Sequence, residues 1–491
     1  MQGKGLQALI GLTALAAALR FASLGVQSYW LDEAVTVSLV ELDLAEMLRR
    51  IPDSESTPPL YYLLAFGWSK LFGTGEVGLR SLSALLGTAT VPAACAAGRA
   101  LVSDRVGLAA AALVSVNPFL IWYSQEARSY ALLVLLAALS FLFFVRVRRE
   151  WSGSALAWWG LASALALLAH YFAVFLVAPE AAWLLLSSRV WDSPRARKAR
   201  GEAVAAVAAV AAVGAALIPL ALDQRSNASF IGESSLASRI AQVPKQYLVG
   251  FDSPVESVCI VVAAALAATS LWLLGRRGDP EEREGAGIAA LIGGAAIALP
   301  LALAVVGVDY LQGRNLIAAL VPLLLVLAAG FGARRAGRAG AVTATALCLL
   351  SLGISASIPL ERRFQRDDWR GVAEALGSPE GRRGIVVSPG AGTRPLELYL
   401  NAARIMPPRG SPITDLVLVS LRGSGERRQR APRRQTPLPP EFREASRRET
   451  DTFTLVRFRA DAPVTYSGDR LAALLAGETP SSVLLETPER R

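Results

Sequence analysis

Residues 129–145 read SYALLVLLAALSFLFFV, a stretch without a charged side chain that ends at Arg146, Arg148 and Arg149. A helix of roughly 20 apolar residues crosses the hydrocarbon core of a bilayer, which is about 30 Å thick. Apolar runs of this kind recur from residue 6 to residue 357, and hydrophobic residues make up 53% of the 491. The chain is therefore predicted to be a polytopic membrane protein built mainly of helices.

Eleven apolar runs are predicted to span the membrane. They cover residues 6–24, 79–98, 106–122, 129–145, 154–169, 172–187, 202–222, 255–274, 286–306, 315–331 and 339–357. Several are shorter than the roughly 20 residues that a span needs, so their ends are expected to extend into neighbouring residues. Residues 59–72 form a shorter apolar segment with Trp68, Lys70 and leucines on one side. This segment is predicted to be an amphipathic helix at the membrane surface.

The positions of lysine and arginine orient these spans, because short cytoplasmic loops carry most of the positive charge. With the N-terminus inside, the basic clusters all become cytoplasmic: Lys4; Arg99 and Arg105; Arg146, Arg148 and Arg149; Arg189, Arg195, Arg197, Lys198 and Arg200; Arg276, Arg277 and Arg283; Arg334, Arg335 and Arg338. Counting 59–72 as a span would move these clusters outside. The predicted outer segments are 25–78, 123–128, the turn at His170, 223–254, 307–314 and everything after residue 358.

Net charge and cysteine content argue against a nucleic-acid-binding protein and against cysteine-based structural sites. The net charge of +10 is explained by topology, so no nucleic-acid partner is predicted. Cys95, Cys259 and Cys348 fall in or beside apolar spans and indicate neither a disulfide framework nor a thiolate metal site. The first span is favoured over a cleaved signal peptide because Arg20 interrupts its end and no convincing cleavage site follows Leu24. The expected location is the plasma membrane.

Composition changes after residue 357, which predicts two domains: a membrane module over 1–357 and an extracytoplasmic α/β domain over 358–491. The second domain contains a helical stretch to Leu376 and strands at 384–388, 416–421 and 453–458. Residues 422–440, rich in arginine, proline and glutamine, are predicted to be a mobile loop.

The best functional clue is the pair Asp32 and Glu33, just beyond the first span, in Ser28-Tyr29-Trp30-Leu31-Asp32-Glu33-Ala34. Adjacent side chains point in different directions on a helix or a strand, so one of the two is expected to face a given substrate. Asp32 is favoured. The alternative is a simple acidic end to a membrane helix.

A second acidic element, Glu126 and Arg128, lies in the short outer loop Tyr123-Ser124-Gln125-Glu126-Ala127-Arg128-Ser129-Tyr130. Upstream, Asn117-Pro118 is expected to bend or end the preceding helix. Two separated outer carboxylates can share one substrate, with one accepting a proton and the other orienting a sugar or binding a cation. The alternative for Glu126 and Arg128 is a local ion pair at a helix start.

Arg314 and Arg80 lie at the predicted outer starts of the tenth and second spans, where guanidinium groups can bind a phosphate through paired hydrogen bonds. The alternative for either is contact with lipid headgroups. His170, the one histidine, is at an outer turn and is either a substrate contact or an aromatic-belt residue. A single histidine without a cysteine cluster does not favour a structural zinc site.

Five motifs in their order resemble the GT-C membrane glycosyltransferases over about residues 10–330, and especially bacterial relatives of protein O-mannosyltransferases and of lipid A aminoarabinose transferases. The motifs are Trp30-Leu31-Asp32-Glu33, Thr57-Pro58-Pro59-Leu60-Tyr61-Tyr62, Arg80-Ser81-Leu82-Ser83, Ser124 through Tyr130, and Arg314-Asn315-Leu316. One departure is Thr57, where the family often has histidine or lysine, so a metal or phosphate contact at that position is in doubt.

The resemblance implies transfer of a sugar, such as mannose or arabinose, from a polyprenyl-phosphate donor outside the cytoplasm, with inversion at the anomeric carbon. Asp32 matches the catalytic acid of the first outer loop, with Glu33 beside it, and Glu126 matches the acid of the second. Arg314, Arg128 and Arg80 are the candidate phosphate-binding residues, and Tyr61, Tyr130 and His170 are candidate substrate contacts. The resemblance does not specify whether the acceptor hydroxyl belongs to a lipid, a polysaccharide or a protein. It also does not specify whether a divalent cation assists the reaction.

Two other classes compete with this interpretation. A transporter or lipid flippase would place ionisable residues and broken helices near the bilayer midplane, often in repeated halves. Here the polar candidates cluster at one rim, and no repeat is evident. A scaffold whose tail binds cell-wall material would leave Asp32 dispensable.

Overall fold

A computed structural model describes residues 3–186, 194–225, 235–400, 402–421, 439–474 and 481–488, without the side chains of 194–196. Contacts divide the chain into two compact units. The first unit comprises residues 1–24 and 39–356, and the second comprises residues 25–38 and 357–491. The segment with Asp32 therefore groups with the C-terminal part of the chain.

Helices make up the first part of the chain. In order they are α1 (Gly3–Phe21), α2 (Leu31–Val40), α3 (Leu44–Ser54), α4 (Leu60–Phe72), α5 (Glu76–Leu101), α6 (Asp104–Val116), α7 (Pro118–Ser124), α8 (Tyr130–Arg149), α9 (Gly153–Ala169), α10 (Val174–Leu186), α11 (Pro194–Ala216), α12 (Ile218–Asp223), α13 (Leu236–Val249), α14 (Glu256–Arg277), α15 (Pro280–Val305), α16 (Leu320–Gly332) and α17 (Gly337–Ser357). Short 3₁₀ turns at Tyr171–Ala173 and Gly313–Ala319 lead into α10 and α16.

The predicted helical membrane bundle is confirmed. Among the described residues, 8 helices are long and apolar enough to cross a bilayer, and the bent pair α6–α7 makes a ninth span if it counts as one. The apolar helices α9 and α10 are shorter. Each of the predicted apolar runs coincides with one of these helical segments. The chain is therefore a multi-pass membrane protein.

Asn117 and Pro118 break one of these spans, as predicted. The axes of α6 and α7 differ by 59°. Proline cannot donate the backbone hydrogen bond that would continue α6, and its ring begins α7 well. The Asn117 side chain accepts from the Leu120 backbone N–H at 3.0 Å and donates to the Tyr247 carbonyl at 2.8 Å, so it caps α7 and fastens the break to α13.

Segment 59–72 forms the helix α4, as its pattern predicted, and its exposed side includes Leu63, Leu64 and Leu71. Two further helices, α2 and α3, lie between α1 and α4, and the sequence did not predict them. Asp43 caps α3 by accepting from the Glu46 backbone N–H at 2.8 Å.

The second unit contains a mixed α/β fold, as predicted for the tail. Its helices are α18 (Trp369–Leu376), α19 (Thr393–Glu397) and α20 (Gly468–Ala472), and its strands are β1 (Arg383–Ser388), β2 (Ala403–Ile405), β3 (Ser411–Leu421), β4 (Arg443–Glu449), β5 (Phe453–Tyr466) and β6 (Ser482–Glu486). The sheet order is β2-β6-β1-β3-β5-β4, with β1 parallel to β3 and the other neighbours antiparallel. Residues 422–438, most of the predicted mobile loop, lie outside the described part.

Apolar side chains cover both faces of this sheet. Trp369, Val372 and Leu376 of α18 pack on one face, and Leu471 of α20 packs on the other with Phe442. Burial of these side chains is the main force that holds the unit together.

Candidate functional site

The candidate residues of the first unit are almost all buried in an apolar bundle. Glu126, Arg128, Arg80 and His170 are each buried, as are Tyr61 and Tyr130, whereas Arg314 is half-buried. A charged group inside a protein is costly unless another group compensates it. The arrangement of their partners therefore indicates how the site is built.

Arg128 forms a bidentate ion pair with Glu55. Its Nη1 lies 2.6 Å from Oε1 and its Nη2 lies 2.8 Å from Oε2, with the side chains 5% and 3% exposed. The guanidinium is 5.8 Å from the ring centre of Tyr62, whose hydroxyl is 2.9 Å from Thr57 Oγ1. The alternative drawn from the sequence was a local ion pair between Arg128 and Glu126. It did not include Glu55 as a partner of Arg128. Glu55 was missed, although it is the carboxylate that precedes the Thr57-Pro58-Pro59 motif.

Tyr61 and Ser83 join the same region. The Tyr61 hydroxyl is 3.1 Å from Ser83 Oγ, and Ser83 donates to the Arg128 carbonyl at 3.4 Å. Three of the sequence motifs, around Tyr61, Arg80 and Arg128, therefore meet in one place. Because each bond joins a different helix or loop, the backbone that carries Glu126 is held from several sides.

Aromatic rings surround Tyr130 and His170. Tyr130 lies 4.6 Å from Tyr123 and 5.6 Å from His170, measured between ring centres, and His170 lies 5.1 Å from Phe172. Burial and the positive charges of Arg128 and Arg314 lower the pKa of His170 to about 3. His170 is thus a neutral imidazole near two candidate cations at ordinary pH.

Arg314 follows a segment, residues 309–311, that an ion pair anchors. Its Nε donates to Gln312 Oε1 at 2.9 Å. Arg239 of α13 donates to Asp309 Oδ1 at 2.7 Å and to the Leu311 carbonyl at 3.0 Å. These bonds fix residues 309–311, the stretch of chain that leads to Arg314.

Arg80 and Gln125 hold the chain where it leaves α1. Arg80 donates to the Leu24 carbonyl at 2.8 Å, and Gln125 donates to the carbonyls of Leu19 and Arg20 at 3.0 and 3.1 Å. Burial of Arg80 does not fit the alternative in which it contacts lipid headgroups. Both side chains hold the end of the helix that precedes the Asp32 motif.

In the second unit, Asp32 and Glu33 form the first turn of α2. Glu33 is fully buried, whereas Asp32 is half-buried, so Asp32 is the more accessible carboxylate. The Tyr29 backbone N–H donates to the Tyr399 hydroxyl at 2.7 Å, and Ser28 Oγ donates to the Asp367 carbonyl at 2.6 Å. The acidic motif is therefore anchored to the α/β fold within its own unit.

Within the described ranges no group of three or more histidine, cysteine, aspartate or glutamate side chains is placed to hold a metal ion.

A family model matches part of the chain. Residues 56–216 match the model described as dolichyl-phosphate-mannose-protein mannosyltransferase. No curated protein sequence matches.

Solved structures of membrane glycosyltransferases are similar to this chain at low identity. The apo crystal structure of ArnT from Cupriavidus metallidurans is 15% identical over 68% of this chain and 61% of its own, with a TM-score of 0.47. The same protein bound to undecaprenyl phosphate is 12% identical over 91% and 97%, with a TM-score of 0.49. The protein O-mannosyltransferase Pmt1-Pmt2 complex of S. cerevisiae is 20% identical over 44% and 33%, with a TM-score of 0.36. The chain thus spans less than two thirds of the first of these relatives.

None of these matches favours the transporter or flippase alternative. The family-model match confirms the resemblance predicted from the sequence motifs: this chain resembles the GT-C membrane glycosyltransferases, and its residues 56–216 are similar to the protein mannosyltransferase family.

Proposed function

We propose that this protein is an inverting glycosyltransferase that moves a sugar from a polyprenyl-phosphate donor to a hydroxyl acceptor outside the cytoplasm. The family-model match over residues 56–216 carries the proposal. That range contains six of the candidate residues: Tyr61, Arg80, Glu126, Arg128, Tyr130 and His170.

Asp32 is the proposed general base. It takes the proton of the acceptor hydroxyl while the oxygen attacks the anomeric carbon from the side opposite the phosphate, so the configuration inverts. Its partial exposure supports this role over Glu33, which is fully buried and supports the turn. General-base assistance of this kind is worth about 10²- to 10⁴-fold in rate.

The leaving group is a lipid phosphate, which departs as an anion and needs no proton. Cations that stabilise the negative charge growing on the phosphate therefore provide most of the remaining transition-state stabilisation. Arg314 is the best candidate because it is half-buried and so more accessible, whereas Arg128 and Arg80 are buried. Arg128 and Arg80 are proposed to shape the site, with their charges contributing at longer range.

Glu126 is proposed to orient the sugar, with Tyr61, Tyr130 and the neutral His170 lining its path. Tyrosine rings and hydroxyls suit a sugar, which presents both C–H faces and hydroxyl groups. The membrane module is assigned to residues 1–357, and residues 358–491 are assigned to the extracytoplasmic side of the plasma membrane. The positive-inside distribution supports that orientation.

The test is sugar transfer from a panel of radiolabelled polyprenyl-phosphate sugars in membranes that contain the wild type, Asp32→Asn or Asp43→Asn at matched expression. Asp43 is the control because it is another acid of the first outer loop, and asparagine caps a helix as well as aspartate does.

We expect transfer from one donor, loss of transfer in Asp32→Asn, and wild-type transfer in Asp43→Asn. Full activity in Asp32→Asn would remove Asp32 as the base. Absence of transfer from every donor by the wild type would contradict the proposed function itself.

A further inference from the structure

Strand β4 lies at one edge of the six-stranded sheet of the second unit. It pairs with β5 on one side, and no described strand flanks its other side. All of its residues are exposed. Because the backbone N–H and C=O groups along a free edge can pair with a further extended chain, this edge is a place where another strand can add.

The register with β5 shows which face of the sheet each side chain of β4 occupies, since directly opposite residues of two antiparallel strands lie on the same face. Arg448 is opposite Leu455, which packs in the apolar cluster with Trp369 of α18. Arg443 is opposite Arg459, which lies four residues after Leu455 and therefore on the same face. Both arginines of β4 thus lie on the face that carries α18.

The charges on the other face of β4 pair with one another. Arg447 is opposite Val456 on that face. Its Nε lies 3.1 Å from Glu444 Oε1, and its Nη1 lies 3.8 Å from Glu449 Oε1. The two carboxylates of β4 are therefore on the face away from Arg443 and Arg448.

On the α18 face, β5 carries two arginines that already have carboxylate partners. Arg459 Nη2 lies 2.9 Å from Glu380 Oε2, and Arg457 Nε lies 3.6 Å from Asp415 Oδ2. These pairs account for the cations of β5 on this face.

Arg443 and Arg448 are the excess positive charge of this face. Neither forms an ion pair with another residue in the part of the chain that the structure describes. Arg443 also lies directly opposite Arg459, and like charges in that position destabilise a sheet. An anionic partner beside β4 would reduce this repulsion.

The same arginines determine which strand the edge accepts. Charged side chains on an edge strand repel strands that do not match them. A strand with carboxylates at the matching positions is attracted instead, so attraction and repulsion together give specificity. An extended chain along β4 places every second side chain on one face of the sheet.

We propose that β4 is a docking edge for an acidic peptide segment of a partner protein. The segment adds to the sheet as a further strand and directs alternate carboxylates toward Arg443 and Arg448. Backbone pairing along the edge and carboxylates on one face together recognise the partner. This surface is independent of the proposed transfer reaction.

The test measures, by fluorescence anisotropy at low salt, the affinity of labelled peptides for the full-length protein in detergent. In one peptide glutamate alternates with threonine, so that as a strand it presents all of its carboxylates on one face. A second peptide has the same composition and charge, but its glutamates are consecutive, which divides the carboxylates between the two faces. We expect the alternating peptide to bind more tightly.

Single substitutions test which face binds. Arg443→Gln and Arg448→Gln should each weaken binding of the alternating peptide about two- to fivefold, the effect of losing one exposed ion pair. Arg447→Gln is the matched control, because it removes the same charge from the other face of the same strand, and its affinity should stay nearly unchanged. Glu380→Gln should bind the peptide more tightly, since it frees Arg459 from its carboxylate.

Three results overturn the proposal: no binding of the alternating peptide, equal binding of the two peptides, or a loss of affinity in Arg447→Gln as large as that in Arg448→Gln. Either of the last two would mean that net charge alone attracts the peptides. The substituted side chains are all exposed, so each variant should unfold at the wild-type temperature. Measured unfolding midpoints confirm that a change in affinity arises at the docking edge.

Discussion

The two guanidinium nitrogens of Arg128 lie 2.6 and 2.8 Å from the two carboxylate oxygens of Glu55, in a pair that is almost wholly buried. The pair joins the acidic motif around Glu126 to the segment before α4, 73 positions earlier in the chain. Since Arg128 follows Glu126 so closely, Glu55 fixes the position of the loop that carries the proposed sugar-orienting carboxylate.

Glu55→Gln is expected to destabilise the protein strongly. The substitution keeps the size of the side chain but leaves the buried Arg128 charge without its carboxylate, and loss of one partner of a buried pair typically costs about 3–5 kcal/mol. The measurement is the thermal unfolding midpoint in detergent, followed by tryptophan fluorescence.

Glu46→Gln is the control for that change. Glu46 pairs with Arg49 and Arg50 on the exposed side of α3, where an ion pair contributes about 0–1 kcal/mol. A double variant that replaces both Glu55 and Arg128 by uncharged residues should recover part of the lost stability. Equal midpoints for the wild type and Glu55→Gln would show that the buried pair does not stabilise the fold.

His170 gives the stability a pH dependence that can be isolated, because the chain has no other histidine. Burial and the charges of Arg128 and Arg314 lower the pKa of His170 to about 3, while the unfolded chain has a histidine pKa of about 6.5. Below pH 6.5 the unfolded state binds a proton that the folded state does not. Stability is therefore full above pH 6.5 and falls by roughly 1.4 kcal/mol per pH unit down toward pH 3.

The prediction is checked by unfolding midpoints from pH 7 to pH 4 for the wild type and His170→Gln. The wild type should lose stability with falling pH more steeply than the variant. Parallel curves would mean that His170 titrates alike in the folded and unfolded states.

The apolar runs predicted the spans well because a bilayer imposes a length and a composition on each one separately. The break at Asn117-Pro118 could also be predicted from the sequence, because proline disrupts the helix in which it lies whatever the rest of the chain does. The Glu55–Arg128 pair could not be predicted, because contact between residues so far apart depends on how several helices pack. Likewise, the difference in exposure between Asp32 and Glu33 depends on which residues pack around α2, and a single sequence does not show this.

In the C-terminal part, β1, β3 and β5 were predicted, and β2, β4 and β6 were missed. All residues of β4 are exposed, and its sequence, REASRRE, has no apolar alternation to reveal it. It is a strand because β5 offers it backbone hydrogen-bonding groups, which a single sequence does not show.

Asp309→Asn is expected to weaken donor binding more than turnover, if the proposed function holds. Hydrogen bonding from Arg239 lowers the pKa of Asp309, so this carboxylate is ionised at neutral pH and anchors residues 309–311. Its loss should loosen the segment that leads to Arg314. The measurement is the KM for the polyprenyl-phosphate sugar, which should rise severalfold while kcat falls less.

Glu256→Gln is the control for Asp309→Asn, because Glu256 belongs to a different ion pair, with Lys245 at 3.1 Å. Its KM should equal that of the wild type. An unchanged KM in Asp309→Asn would separate the Arg239–Asp309 pair from donor binding.

Arg20 is expected to be essential for the broken span. Its guanidinium donates to the carbonyls of Val114 and Ser115 at 3.0 and 2.9 Å and to Ser124 Oγ at 3.1 Å. These carbonyls are at the end of α6, where the break at Pro118 removes a backbone donor. Arg20→Met leaves them without the guanidinium in an apolar interior, at a cost of about 1–3 kcal/mol for each unsatisfied group.

The unfolding midpoint of Arg20→Met should fall by several degrees, while Arg105→Met, which removes an exposed arginine of α6, should leave it nearly unchanged. Arg20→Lys should lie between them, because one ammonium group cannot reach all the acceptors that the planar guanidinium of Arg20 reaches. Gly87→Ala tests the same contact from the other side, since a Cβ there would lie 2.0 Å from Ser124 Oγ and 3.1 Å from Arg20 Nε. If Arg20→Met and Gly87→Ala both unfold at the wild-type temperature, the carbonyls at the break must be satisfied without Arg20.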